Sequence, residues 1–166
     1  EQLSGSEFTT KLNAQRAESG IPRMLSLDPI WSSNCRKHNV YTALNGGWDS
    51  PDPHGETPGK PGYTTEGAAA AQQSVLGFGS GWTTLNPWED KPLHLAKLLS
   101  PTLTSIGFDH YKEWMCAWNW THSWDHPSNT LYPYPGDGAR SIYYAERTAE
   151  WPTSPAAMAG LPNTNN

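Results

Sequence analysis

The sequence predicts a single α+β domain in which helices come first and strands follow. Two observations carry that expectation. Apolar residues recur at helical spacing, between recognisable caps, through the first hundred positions. Beyond position 100 the pattern changes to strict alternation, with tryptophan at 114, 118 and 120 and Cys116 between them. A third feature sets the texture of the domain. The 166 residues include 15 glycines and 15 prolines, and only 16% are charged, against about a quarter in average usage. Such a chain folds as compact layers joined by structured loops, not as a coiled coil or a charged tail.

The first helix is expected over residues 6–19, with Ser6 as N-cap, Phe8 and Leu12 one turn apart, and Gly20 placed to end it in the left-handed region. The second has firmer boundaries. Asp28 can cap the first N–H groups and Pro29 fits the first helical position, where its missing donor is harmless. It should run to about Leu44 and stop at Asn45, Gly46 and Gly47, with Ile30, Trp31, Asn34, Cys35, His38, Tyr41 and Thr42 inward. Residues 48–64 are rich in proline and glycine and read as a structured loop. A third helix is expected from Thr65 to about Leu76, its alanines at 68–71 allowing another backbone to pack close. Residues 77–86 read as turns, and a short helix near 93–99 is stopped by Ser100 and Pro101.

Strands are predicted at 103–108, 113–120 and 141–145. In the second of these, Trp114, Cys116, Trp118 and Trp120 should share one face, and Met115, Ala117 and Asn119 the other. A packed inner sheet face explains this better than a sugar-stacking surface. Residues 1–150 are expected to form the domain and 151–166 a Pro/Ala/Asn-rich tail.

Composition excludes several functions. Net charge is −5 with a pI near 5.6, and no run of Lys or Arg exists, so neither nucleic acid nor an anionic membrane has a basic surface to bind. The longest uncharged stretch, 67–88, is interrupted by glutamines, threonines and glycines, which argues against a transmembrane segment. The sequence begins at Glu1, without Met. A secretory signal is expected to have been removed, giving an extracellular or cell-surface location. The two cysteines, Cys35 and Cys116, are expected to form one long-range disulfide, the alternative being two buried thiols in a reducing compartment. Residues 119–121 form a glycosylation sequon.

The residues suited to chemistry are His54 in the Pro-rich loop, His94 on the short helix and Glu66 at the start of the third helix, where a carboxylate also suits the helix dipole. His122 and His126 lack further ligands at metal spacing. No nucleophile elbow, HExxH motif, Walker loop or GxGxxG fingerprint is present.

The order of these pieces resembles the CAP superfamily (cysteine-rich secretory, antigen 5 and pathogenesis-related proteins), in particular its bacterial members. Asn13, Arg16 and Gly20 are similar to the opening N-x-x-R-x-x-x-G helix. The stretch from Leu27 to His38 looks like the second helix, and His54 matches the histidine of the loop after it. Gly62, Tyr63 and Glu66 resemble a G-Y-x-x-x-E stretch. Residues 92–101 resemble the bacterial S-P-x-H-R-x-x-L-L-x-P segment, and Ile106-Gly107 the strand that follows. The resemblance implies a three-layer α-β-α sandwich with a central antiparallel sheet and helices on both faces. It also implies a cleft that gathers His54, His94 and Glu66.

Animal and plant members add a second Glu, whose place here holds Gln or Ser around 72–74, so the set is incomplete or rebuilt with Glu56. Two imidazoles and a carboxylate would suit Zn²⁺ or another divalent cation. The expected function is a secreted domain binding a divalent cation or a small-molecule, cell-wall or protein ligand without turnover. The alternatives are a His/Glu-dependent hydrolase of cell-wall or peptide substrates and a carbohydrate-binding module.

Overall fold

The computed structural model describes residues 2–49, 52–82, 85–120 and 130–136. The strand expected at 141–145, the His122/His126 pair and the tail beyond 150 lie outside them. The described elements are α1 (Gly5–Glu18), β1 (Ser26–Leu27), α2 (Pro29–Leu44), α3 (Thr65–Gln72), β2 (Ser74–Phe78), α4 (Pro92–Leu98), β3 (Ser105–Tyr111) and β4 (Trp114–Trp118). The sheet order is β1-β3-β4-β2. The three longer strands are antiparallel, as expected; the two-residue β1 joins parallel to β3 and makes the sheet mixed.

Alternation along the strands sorts the core into two layers. Met115 and Ala117 of β4, Val75 of β2 and Ile106 and Phe108 of β3 pack with Phe8 and Leu12 of α1 and with Leu95 and Leu98 of α4. Cys116 and Trp118 of β4 and Leu76 of β2 face the other way, onto Cys35 of α2 and Ala70 of α3. Helices therefore cover both faces, which makes the α-β-α sandwich. The expected split of β4 holds, with Trp118 stacked on Trp31 at 5.4 Å between ring centroids. The Cys35–Cys116 disulfide joins α2 to β4 through the middle of this second layer. The Ser74 hydroxyl, the only group of the pair that carries a proton, donates to Cys116 Sγ at 3.2 Å.

Local chemistry explains the helix boundaries. Asp28 Oδ1 accepts from the N–H groups of Ile30 and Trp31 at 2.8 and 2.9 Å, and Pro29 follows it. Ile30, expected inward, is 69% exposed in the first turn of α2, before the helix settles onto the sheet. For α1 the cap is Ser4 rather than Ser6. Its hydroxyl accepts from the Glu7 N–H while Glu7 reaches back to the Ser4 N–H, a complete capping box. The third helix ends four residues earlier than expected, and the segment that follows is β2. There Ser74 to Phe78 pair with Trp118 to Trp114 of β4.

The residues that carry the family resemblance near the start do structural work. Arg16 is fully buried. Its guanidinium donates to the carbonyls of Leu98 and Ser100 at 2.9 Å, and to those of Arg23 and Leu103. Burial pushes its pKa down to about 10, so it stays charged at neutral pH. Asn13 exchanges two hydrogen bonds with the backbone of Leu25. Together they tie α1 to β1, to the C-terminal end of α4 and to the turn before β3. Gly107 is where α2 crosses β3. A Cβ there would lie 2.6 Å from the Trp31 carbonyl carbon and 2.8 Å from the Ser32 nitrogen.

Candidate functional site

A cleft of about 1040 Å³ opens between α4, the α3–β2 junction, the end of β4 and the segment at 130–134. Its body is apolar, with Ile21, Val75, Leu95 and Leu99 in the wall. His54, Gln72, Gln73, Ser74, His94 and Asn119 supply polar groups.

His54 reaches the wall because its loop is folded back on itself. Asp52 Oδ1 accepts the His54 N–H at 2.9 Å, and the Asp52 carbonyl accepts from Gly55. The ring is then held by the Ala71 carbonyl, 2.7 Å from Nδ1. A carbonyl can only accept, so the proton of the neutral ring sits on Nδ1 and the lone pair on Nε2. Burial holds the imidazole below its ordinary pKa, against the pull of the Ala71 carbonyl and Asp52. His94 lies on the third residue of α4, which begins at Pro92 without a side-chain cap, and it faces the same cleft.

The two acids lie outside the lining. Glu66, in the first turn of α3, faces solvent 3.5 Å from Lys37, with its side chain 53% exposed. Its own backbone N–H and then Lys37 hold its pKa below the usual carboxylate value. The buried face of α3 is instead Gly67, Ala70 and Ala71. The Glu56 side chain is fully buried. It accepts from His38 Nδ1 at 3.0 Å and from the Thr64 N–H at 3.3 Å, pinning the Pro-rich loop to α2. His38 Nε2, at the far side of that ring, is buried without a hydrogen-bond partner.

The structure thus brings His54 and His94 to one wall and places Glu66 and Glu56 elsewhere. Among the described residues no group of three His, Cys, Asp or Glu is placed to hold a metal. The lining offers a divalent ion two imidazoles, where zinc sites use three or four protein ligands. What the wall has in the acidic positions is Gln72 and Gln73, neutral amides.

The model of the cysteine-rich secretory protein family, CAP, matches residues 9–121. The chain belongs to the CAP family. No curated protein and no solved structure gives a significant match. In this CAP domain the matched span covers every helix and strand described, apart from residues 5–8 of α1, and the cleft wall from His54 to Trp120. Gln72, Gln73 and Ser74, the stretch that stands where the resemblance places a second Glu, are indeed at the cleft. Glu66, carried over as the first acid, is not.

Asn119 was foreseen as a sheet residue and as the head of a sequon; its place in the CAP cleft was not. It closes one end of the cavity, 8% exposed, and its Nδ2 is buried. In the folded domain that nitrogen is out of reach of a glycosyl transferase. It lies just after β4, opposite Gln73, whose carbonyl accepts the Asn119 N–H at 3.2 Å; local sequence carried no signal for this, because the pairing is set by β2. No helix among the described residues is long and apolar enough to cross a membrane.

Proposed function

We propose that this CAP domain is an extracellular binding module whose cleft holds a small organic ligand without turning it over. The observation that carries this reading is the wall itself. A cavity of about 1040 Å³ lined mainly by aliphatic side chains, with a few convergent imidazole and amide groups, has the make-up of ligand pockets in general. The acids that would orient a cleft histidine as base are committed elsewhere, Glu66 to Lys37 and Glu56 to His38 outside the cleft lining, which favours binding over hydrolysis. Secretion is supported by the buried disulfide, which suits an oxidising compartment, and by the family's character.

The test is saturable binding of a neutral, apolar fluorescent probe such as Nile red to wild type and to Ala96→Trp. Ala96 lines the cleft at an exposed position on α4, so the larger ring takes up part of the cavity without entering the core. The expected result is a blue-shifted, saturable signal that Ala96→Trp weakens. Absence of saturation, or equal binding by both proteins, refutes the reading. Calorimetry with Zn²⁺ on wild type and on the His54→Ala/His94→Ala double variant decides whether a cation is the occupant instead. Binding heat that the double variant lacks would establish it.

A further inference from the structure

The core uses only part of the chain's aromatic surplus. Trp114 opens β4 and pairs directly with Phe78 at the end of β2 and with Tyr111 at the end of β3. Directly paired residues share a sheet face, so the three rings form a row at one end of the sheet. Arg36 of α2 covers Tyr111, its guanidinium carbon 4.0 Å from the ring centroid. Phe78 is 60% exposed and lies 4.9 Å from Trp114 with an interplanar angle of 60°. Trp48, just past the Gly46-Gly47 stop of α2, leans on Trp114 at 5.1 Å and 65° and is 37% exposed. Among the described residues, neither core layer includes Trp48, Phe78 or Trp114, and none of the three lines the cleft.

The surroundings of these rings limit what they can hold. Residues 44–48 and 77–81, which carry Trp48 and Phe78, include no charged side chain. The charges next to them are matched: Asp49 accepts from Lys60 and from the Tyr41 hydroxyl, and Lys112 stands over Tyr111 beside Glu113. A charged partner or an anionic lipid surface therefore meets no complementary field here. A second protein needs more area. At about 150–250 Å² for a large aromatic side chain, Trp48 and Phe78 together expose about 200 Å². Adding Leu44 at the end of α2, 58% exposed, leaves the patch far below the ~800 Å² that each partner covers in a stable interface. What fits is a small neutral ligand with apolar faces and polar edges. A pyranose with equatorial hydroxyls has that form, with C–H groups on its faces to lie on a ring and hydroxyls around its rim. Gly46 and Gly79 stand next to the rings in the chain, and a Cβ on either would meet no described atom within 4 Å, so their backbone can be approached closely. We infer that Trp48, Trp114 and Phe78 form a stacking site for a neutral β-linked glycan, separate from the cleft.

The experiment is calorimetry of the full chain with cellohexaose and with chitohexaose, two neutral β-linked oligosaccharides. At least one is expected to bind saturably. Trp48→Ala and Phe78→Ala, both at exposed positions, are each expected to weaken that binding about fivefold or more, the order of one lost aromatic contact. Phe78→Tyr keeps a ring in place and is expected to bind as wild type does. Circular dichroism establishes that the variants are folded. Ala96→Trp, in the cleft wall, is expected to leave the affinity unchanged. Absence of binding by both oligosaccharides overturns the inference. So does binding that survives both alanine changes, or binding that Ala96→Trp removes, which would place the glycan in the cleft. Co-sedimentation with phosphatidylcholine vesicles that Trp48→Ala abolishes, with no glycan bound, would assign the rings to a lipid surface instead.

Discussion

Reducing the Cys35–Cys116 bridge should remove a large share of the stability of this domain. The two residues are 81 apart in sequence, and both are fully buried where α2 meets β4. In the chain-entropy model, freeing a loop of that length restores about 4.5 kcal/mol of conformational entropy to the unfolded state. For a chain of this size that corresponds to a fall in Tm of about 9–18 °C. Burial adds a kinetic signature. Dithiothreitol should leave the folded protein untouched for hours, because neither sulfur is exposed, and should reduce it quickly once urea opens the sandwich. The assay is urea unfolding of oxidised and reduced protein, paired with intact mass for the gain of about 2 Da expected from two added hydrogen atoms, the electrons coming from dithiothreitol. Cys35→Ala/Cys116→Ala serves as a second route to the uncrosslinked chain. A loss of stability under about 1 kcal/mol would refute the loop-closure argument. Rapid reduction of the native protein would refute the burial.

Three other perturbations probe separate parts of the fold. Gly107→Ala forces a methyl into the backbone of α2 at Trp31 and Ser32, and should cost about 3 kcal/mol in urea unfolding; a loss within experimental error would mean that the α2–β3 crossing is looser than described. Arg16→Met leaves the carbonyls of Leu98, Ser100, Leu103 and Arg23 without their donor and should cost about 3 kcal/mol or more, with the α4 end opening first in hydrogen exchange. His54 is partly buried with its pKa lowered, so the native state prefers the neutral ring. Its contribution is complete above the unfolded value of about 6.5 and is lost as pH falls through the folded value, because the unfolded chain takes up a proton that the native state resists. The urea midpoint of His54→Gln should therefore fall less than that of wild type between pH 7.5 and 5.0; parallel curves would contradict this.

What could be read from the sequence depended on whether its cause was local. The second helix was legible from end to end because Asp28, Pro29 and the Asn45-Gly46-Gly47 stop act within a few residues of themselves. The start of α1 was legible too, through Ser4 and Glu7, but Ser6 offered a competing cap and the S-x-x-E spacing went unread. The boundary between α3 and β2 was not legible. Alanines at 68–71 favour a helix, and Ser74 to Leu76 can continue it as easily as begin a strand. The choice is made by β4, more than forty positions later, whose Trp118, Ala117 and Cys116 pair with Ser74, Val75 and Leu76. Local propensity yields to a partner that it cannot see.

The same misplaced boundary accounts for the acid at the site. A helix running to Leu76 would have kept Gln72 and Gln73 as ordinary surface residues and left Glu66 as the one titratable group near the histidines. Ending α3 at Gln72 turns the chain, so that the junction rather than the first turn faces His54 and His94. Glu66 remains a solvent-side residue paired with Lys37. The consequence is chemical. A wall with two imidazoles and a carboxylate would hold a cation or a proton relay; the described lining has two imidazoles, neutral amides and Lys97 at its rim, and no carboxylate.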